Sequence, residues 1–387
     1  MIIHTVQKGD TLFSIARRYS IPPTKLLCDN SREGDRLTVG EELIVIAPTR
    51  TVTVRGGDTL SSIASRFDVK ESTLLLNNPA LTLQHRLRPG QIISVKQKSG
   101  SLGIGAAVGI ADKGLKRESL MMALPFLTYL LVDGAILTES GIGMRFDPSY
   151  LTDSAAAERK IAMLKIKDTT GGRFLDDKKS YASIIEKMIS LSKKYRFRGI
   201  AIEAHEAAQK DPEGLSEFLL LLRKKFIGQD LILFSYISCS ASSKIEDLTD
   251  GVIMMTSDTD IRKTKRELVE YAERDESSKV FVHLTTDAEM TDSSISIPEA
   301  RALCYRSGLE LSTDENTLIS SFTYTRYKTG EGEKMEVRFP SLRYTESKYS
   351  SIAENGYGGI AFDIGTCEIS RLAMFGACFR KADYMLP

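Results

Sequence analysis

Residues 4–19, HTVQKGDTLFSIARRY, return further along the chain as TVTVRGGDTLSSIASRF, residues 51–67. Gly9, Asp10, Thr11 and Leu12 recur as Gly57, Asp58, Thr59 and Leu60. An internal repeat of this kind means that the front of the chain is two copies of one small folding unit. Behind each Gly-Asp-Thr-Leu, the apolar residues Leu12, Ile15, Ala16 and Tyr19, and again Leu60, Ile63, Ala64 and Phe67, fall at i, i+3, i+4, i+7. That spacing predicts a short amphipathic helix in each copy. The Asp or Thr ahead of the run caps its free backbone donors, and the Gly permits a tight turn from strand to helix.

A second helical stretch follows in each copy, around Leu26 and Leu27 before Asn30, and around Leu74 and Leu75 before Asn77 and Asn78. A closing strand comes last, at 43–46 and 92–95. Each unit therefore reads strand, helix, helix, strand, over residues 1–48 and 49–97. These residues resemble the LysM family from end to end of both units. The resemblance implies a shallow groove between the Gly-Asp-Thr-Leu turn and the loop after the second helix. There, backbone amides and carbonyls hold the acetamido groups of peptidoglycan or chitin. The groove candidates on that pattern are Gly9, Asp10, Thr11, Leu12 and Asn30 in the first unit, and Gly57, Asp58, Thr59, Leu60, Asn77 and Asn78 in the second. Each groove alone is expected to bind weakly, and two on one polymer gain by effective concentration.

The bulk composition narrows the partners. Across 387 residues, 42% hydrophobic and 27% charged side chains are ordinary for a globular protein with a sizeable core. Fifty-two Lys and Arg against fifty-one Asp and Glu leave a net charge of +1, so no general attraction to nucleic acid or anionic membrane is expected. Neutral polymers suit such a surface. The five cysteines, Cys28, Cys239, Cys304, Cys367 and Cys378, show no C-x-x-C spacing and read as buried thiols. The four histidines, His4, His85, His205 and His283, lie on separate elements without ligand spacing, so neither a metal nor a cofactor is expected. No charged and then apolar leader opens the chain, which predicts synthesis in the cytoplasm without an export signal.

After the polar linker 96–100, the pattern changes to apolar strands alternating with longer amphipathic helices, the mark of a parallel α/β fold. Strands are expected near 103–111, 127–134, 161–167, 199–204, 231–238, 252–256, 280–285 and 359–364, a set of eight that suggests a closed barrel over 98–387. Helices are clearest at 181–194, 212–226, 262–274, 298–307 and 344–354. Between the last two strands, 321–325 and 335–339 flank Gly330-Glu331-Gly332, a hairpin in an insertion spanning about 313–342.

This half resembles the family 18 glycoside hydrolases found among bacterial spore cortex-lytic N-acetylglucosaminidases. The correspondences are Tyr195 to Ile202, Gly251 to Thr256, the hairpin before Tyr344, and Gly356-Tyr357-Gly358-Gly359-Ile360. The resemblance implies a (β/α)8 barrel and, at the end of its fourth strand, the signature D-x-x-D-x-D-x-E. Here that stretch is 198–205, RGIAIEAH, and all four acidic positions depart from the pattern. By strand parity Ala201, Glu203 and His205 face into the barrel. His205 stands where the family keeps the Glu that protonates the leaving oxygen. Ser257 stands where a Tyr steadies the reacting acetamide, and Asp363 where a Trp forms the sugar platform. The chain contains no Trp.

Each replacement removes a different element of a substrate-assisted hydrolysis, and general-acid catalysis alone contributes roughly 10²- to 10⁴-fold. The expectation is a polymer-binding protein with a non-catalytic barrel that supplies bulk, a residual groove or a docking surface. The resemblance implies the spore coat or cortex surface as its setting, with other spore-envelope proteins as further partners. The alternative is an active N-acetylglucosaminidase or altered hydrolase with Glu203 or His205 as its acid, and Glu206 beside them on the same rim. Asp258, Asp287 and Asp363, at or just beyond strand ends, read as solvated carboxylates on that rim.

Overall fold

The structure, a computed structural model, describes residues 1–30, 35–78, 81, 87–97, 102–238, 245–274, 276–328 and 331–381. His85, Cys239 and the end of the linker lie outside the described residues. In the first repeat, β1 (Ile2–Thr5) runs antiparallel to β2 (Glu42–Val45), and in the second β3 (Pro48–Thr53) runs antiparallel to β4 (Ile92–Gln97). Helices α1 (Leu12–Arg18) and α2 (Pro23–Asp29) complete the first unit, and α3 (Leu60–Phe67) and α4 (Glu71–Asn77) the second. The expected βααβ order is present twice. Thr11 and Thr59, rather than the aspartates, cap α1 and α3, each closing a reciprocal capping box with Ser14 or Ser62. The helical apolar residues, with Leu26 and Leu43 or Leu74 and Ile93, form a small core in each unit.

The remaining chain closes a barrel. Its strands are β5 (Ile104–Ala111), β6 (Tyr129–Thr138), β8 (Ile161–Asp168), β9 (Gly199–Glu203), β10 (Ile232–Ser238), β11 (Gly251–Met255), β12 (Val280–His283) and β18 (Gly359–Asp363). Each pairs in parallel with the next, and β5 pairs with both β6 and β18, so no edge remains open in the ring. A short strand, β7 (Gly141–Met144), doubles back on the end of β6. All eight expected barrel strands are found.

Alternation fixes which side chains fill the barrel. Ala106, Val108 and Ile110 of β5, Tyr129 and Leu131 of β6, Met163 of β8, Ala201 of β9, Phe234 and Tyr236 of β10, Ile253, Phe281 and Ala361 make one buried inner cluster. Tyr129, Phe234 and Phe281 pack ring against ring with centroids 5.3–5.8 Å apart, stopping the lower half of the barrel. The residues of opposite parity join the larger core between the strands and their helices.

The insertion between β12 and β18 holds the expected hairpin, β16 (Ile319–Lys328) with β17 (Glu331–Pro340), inside a five-stranded antiparallel sheet. The sheet adds β13 (Asp287–Met290), β14 (Ser294–Ser296) and β15 (Ser312–Thr313), strands of two to four residues, too short to show a periodicity. The helix Ile297–Arg306 buries Ile297, Ala300 and Cys304 against this sheet together with Phe322, Val337 and Phe339.

The first repeat is docked on the barrel. Ile44 and Ile46 belong to the same buried cluster as Leu372 and Phe375 of the last barrel helix, Ile369–Cys378. Arg343, at the start of the helix Leu342–Glu354, clasps the buried Glu42 through its backbone N–H at 3.0 Å and its Nε at 2.6 Å, while its other nitrogens hold Glu315. Arg301 lies 2.9 Å from Glu368 and 3.7 Å from the buried Glu41. The backbone N–H of Leu311 donates to the carbonyl of Val39 at 2.9 Å. Between these contacts lies Gly40, at φ +83°, so close that an added Cβ would sit 1.9 Å from the Leu311 carbonyl oxygen.

Candidate functional site

The two repeats present the same turn. In the first, the Asp10 carboxylate accepts from the backbone N–H of Gln7 at 2.9 Å and pairs with Arg18 at 3.2 Å and with His4 at 2.9 Å. In the second, Asp58 accepts from the N–H of Arg55 at 2.8 Å and from both terminal nitrogens of Arg66. These contacts hold both carboxyls below the ordinary Asp value: burial works against the shift at Asp10, and the backbone hydrogen bond leads it at Asp58. Nothing lies within 4 Å of a Cβ built on Gly9 or Gly57, so both turns open to their surroundings. Leu12 is buried beneath its turn and Leu60 half-buried beneath the other.

Asn30 and Asn78 do a different job. The Asn30 amide donates to the carbonyls of Leu26 and Ile44 and accepts from the Ile44 N–H, all at 2.8 Å. Asn78 repeats the pattern with Leu74 and Ser94, again at 2.8 Å. Each side chain ties the end of the second helix to the closing strand. Asn77 donates to Val95, and its carbonyl takes a bond from Lys25 that joins the two units. Asn30→Ala strands a buried N–H and two carbonyls, which is expected to cost about 1–3 kcal/mol. A fall in the melting temperature of the first unit, measured beside Asn30→Asp, is the check.

Toward the C-terminal mouth of the barrel, the inward residues in the upper part of successive strands include Ile110, Asp133, Lys165, Glu203, Tyr236, Met255, His283 and Asp363, with Lys167 above Lys165 and 3.9 Å from Glu203. Of the positions singled out by the sequence resemblance, Ala201 lies one layer below, fully buried. Glu203 reaches the mouth, but its Oε2 lies 2.8 Å from Lys165 Nζ, and the same ammonium lies 3.3 Å from Asp133 and over the Tyr236 ring at 4.9 Å. Burial disfavours that ammonium, yet the charges of Glu203 and Asp133 and its hydrogen bonds to both raise its pKa above the usual lysine value. Glu203 is therefore held in ion pairs with lysines of β8. His205 begins a helix, His205–Lys210, because the strand ends at Glu203; its ring stays near the mouth, 3.8 Å from Glu203 and edge-on to Tyr236. Glu206 lies away from that pair, exposed and bridged to Lys210 at 3.3 Å.

Ser257 follows the end of β11, and both its backbone N–H and its hydroxyl bond Glu267 at 3.1 Å. Asp363 is half-exposed and lies 3.2 Å from Nε2 of His283. Asp258 differs from the solvated rim carboxylate expected of it. It is buried and receives Lys348 Nζ at 2.7 and 2.8 Å, with further bonds from Tyr344, Thr256 and Thr285. A cation supplied from a helix distant in sequence made burial possible, and a one-strand reading carries no trace of it. With Asp287, Glu289, Thr285, Ser257 and Arg338, Asp258 lines a small cavity of about 90 Å³ between the mouth and the inserted sheet.

Sequence reasoning missed Lys165, Asp133, Tyr236 and His283. The signal was available in alternation: each is two residues beyond an inward apolar residue of its strand. The Tyr236 phenol is buried without a hydrogen-bond partner among the described residues, and burial, with the carboxylates of Asp363, Glu203 and Asp133, holds its pKa well above 10. It is a neutral hydroxyl at the mouth.

The LysM domain model matches residues 4–45 and 52–96. The two N-terminal units are LysM domains. No curated protein matches the chain in sequence. Among solved structures, the spore cortex-lytic enzyme SleL of Bacillus megaterium QM B1551 superposes with a TM-score of 0.76 at 18% identity, over 99% of both chains. SleL of Bacillus cereus gives 0.76 at 21%, also over 99% of both. A chitinase from Chromobacterium violaceum gives 0.62 at 14%, covering 70% of this chain and 98% of that one. The fold is thus that of LysM domains joined to a barrel of the kind found in family 18 glycoside hydrolases. At these identities the likeness speaks to fold.

Proposed function

We propose that this protein anchors to peptidoglycan or a related N-acetylglucosamine polymer through its LysM domains, and that its barrel binds or docks without cutting. The grooves at Gly9, Asp10, Thr11 and Leu12, and at Gly57, Asp58, Thr59 and Leu60, hold acetamido groups, with Asn30, Asn77 and Asn78 tying the second helix of each domain to its closing strand. The observation that carries the non-cutting half is the 2.8 Å contact between Lys165 and Glu203. The carboxylate one strand step before the acid position is neutralised from within, and the acid position itself carries an imidazole. Protonation of a glycosidic oxygen then lacks both the acid and the free carboxylate that would orient an acetamide. The likeness to SleL over nearly the whole chain supports a spore-envelope setting.

Purified protein should co-sediment with insoluble peptidoglycan while releasing no reducing ends from it or from chitin oligomers. Glu203→Gln should change neither result. Enzyme-like turnover that Glu203→Gln abolishes would establish the hydrolase reading instead.

A further inference from the structure

The two LysM domains differ most away from their shared turn. Residues 1–48 hold six Lys and Arg and six Asp and Glu, whereas residues 49–97 hold seven and three, although the whole chain is nearly neutral. Part of this excess surrounds a shallow cleft of about 430 Å³ between β3 and the end of α3, lined by Thr51, Val52, Thr53, Arg55, Arg66 and Phe67. Gly57, Thr59 and Leu60 of the shared turn do not line it. The Arg50 guanidinium covers the Phe67 ring at 4.6 Å and that of Arg66 approaches it at 5.3 Å. Lys96 faces Arg50 across the ladder.

Arg66 is shared with Asp58, but among the described residues no carboxylate stands within ion-pair distance of Arg50 or Arg55. In the first domain the equivalent positions hold Ile2, Gln7, Arg18 and Tyr19, and the Tyr19 hydroxyl is bonded to His4. The cationic rim thus belongs to the second domain.

An aromatic face that steadies guanidinium groups beside two hydroxyls is suited to an oxyanion, because the planar fork of Arg matches the two oxygens of a carboxylate. Chitin carries no such group. Peptidoglycan carries carboxylates on its peptide branches at regular intervals along the glycan. We infer that this cleft binds peptide-branch carboxylates, so that the second LysM domain reads the branch while the shared turn reads the sugar. The inference rests on the glycan-anchoring reading and makes it specific for a carboxylate-bearing polymer over neutral chitin.

The test compares the full chain with its R50Q/R55Q variant on chitin, on peptidoglycan freed of attached phosphate polymers and on walls that still carry them, at low and high salt. Both arginines are exposed, so the variant should melt with the wild type. The wild type should bind peptidoglycan more tightly than chitin, with the advantage shrinking as salt rises. The variant should lose roughly tenfold on peptidoglycan and nothing on chitin. Unchanged peptidoglycan binding by the variant, or an equal loss on both polymers, overturns the cleft. A loss confined to walls that still carry phosphate polymer overturns the carboxylate assignment. A wild type that binds neither polymer overturns the anchoring reading itself.

Discussion

Asp258→Ala is expected to lower the stability of the barrel by about 3–5 kcal/mol, the cost of leaving a buried ammonium without its counter-charge. Lys348 Nζ is almost wholly enclosed and donates to both Asp258 oxygens, to Thr256 Oγ1 at 2.8 Å and to the carbonyl of His283 at 2.7 Å. Without the carboxylate, the Tyr344 and Thr285 hydroxyls also lose an acceptor. The double variant Asp258→Ala, Lys348→Met should recover much of the loss, because removing both charges removes the unpaired one. Denaturant midpoints of the barrel transition are the readout, and a single-variant loss below about 1 kcal/mol would refute the assignment.

The same group gives a pH dependence. Burial pushes the Asp258 carboxyl up, but the Lys348 charge, with hydrogen bonds from Lys348, Thr285 and Thr256, outweighs it and leaves the pKa below the ordinary Asp value. A depressed folded-state pKa means that the pair's contribution is fully present above the unfolded pKa of about 4, and is lost as pH falls through the lower folded value. The difference in stability between wild type and Asp258→Ala should therefore narrow below about pH 4.

Gly40→Ala and Gly90→Ala form the second pair of expectations. The two glycines occupy the same turn of the two LysM domains, at φ +83° and +87°. Both substitutions carry the strain of a left-handed residue, about 1–2 kcal/mol. Nothing lies near the Cβ that would be added at Gly90, whereas at Gly40 it would meet the Leu311 carbonyl oxygen. Gly40→Ala must therefore also shift the domain off the insertion, weakening the Leu311 to Val39 bond and the Glu42 to Arg343 clasp. It is expected to cost about 3 kcal/mol or more in total. Faster hydrogen exchange at the Leu311 amide in Gly40→Ala, but not in Gly90→Ala, would distinguish undocking from local strain. Equal losses in the two variants would rule the docking role out.

What was legible in the sequence follows from range. The LysM repeats are local patterns, with a turn, a cap and a short amphipathic stretch inside one window, and the barrel strands are continuous apolar runs bounded by helices. Both could be read from neighbours along the chain. The site is a property of eight strands meeting, and it was legible only where a motif lay on one strand. Ala201, Glu203 and His205 could be placed in this way. The Lys165 to Glu203 pair joins β8 to β9, and the Asp258 to Lys348 pair joins a loop to a helix ninety residues on. No periodicity encodes either. His205 shows the limit of strand parity, because the strand ended two residues before it and a helix took over its direction.

The clasp between the first LysM domain and the barrel has a mechanical meaning. A carbohydrate-binding module on a loose string lets its cargo swivel and sample every orientation above the wall. Here the module shares buried apolar residues, a main-chain hydrogen bond and charged contacts with its cargo, so the attitude of the barrel is set as soon as the module seats. Whatever the mouth meets is then chosen by the direction in which the polymer strand runs.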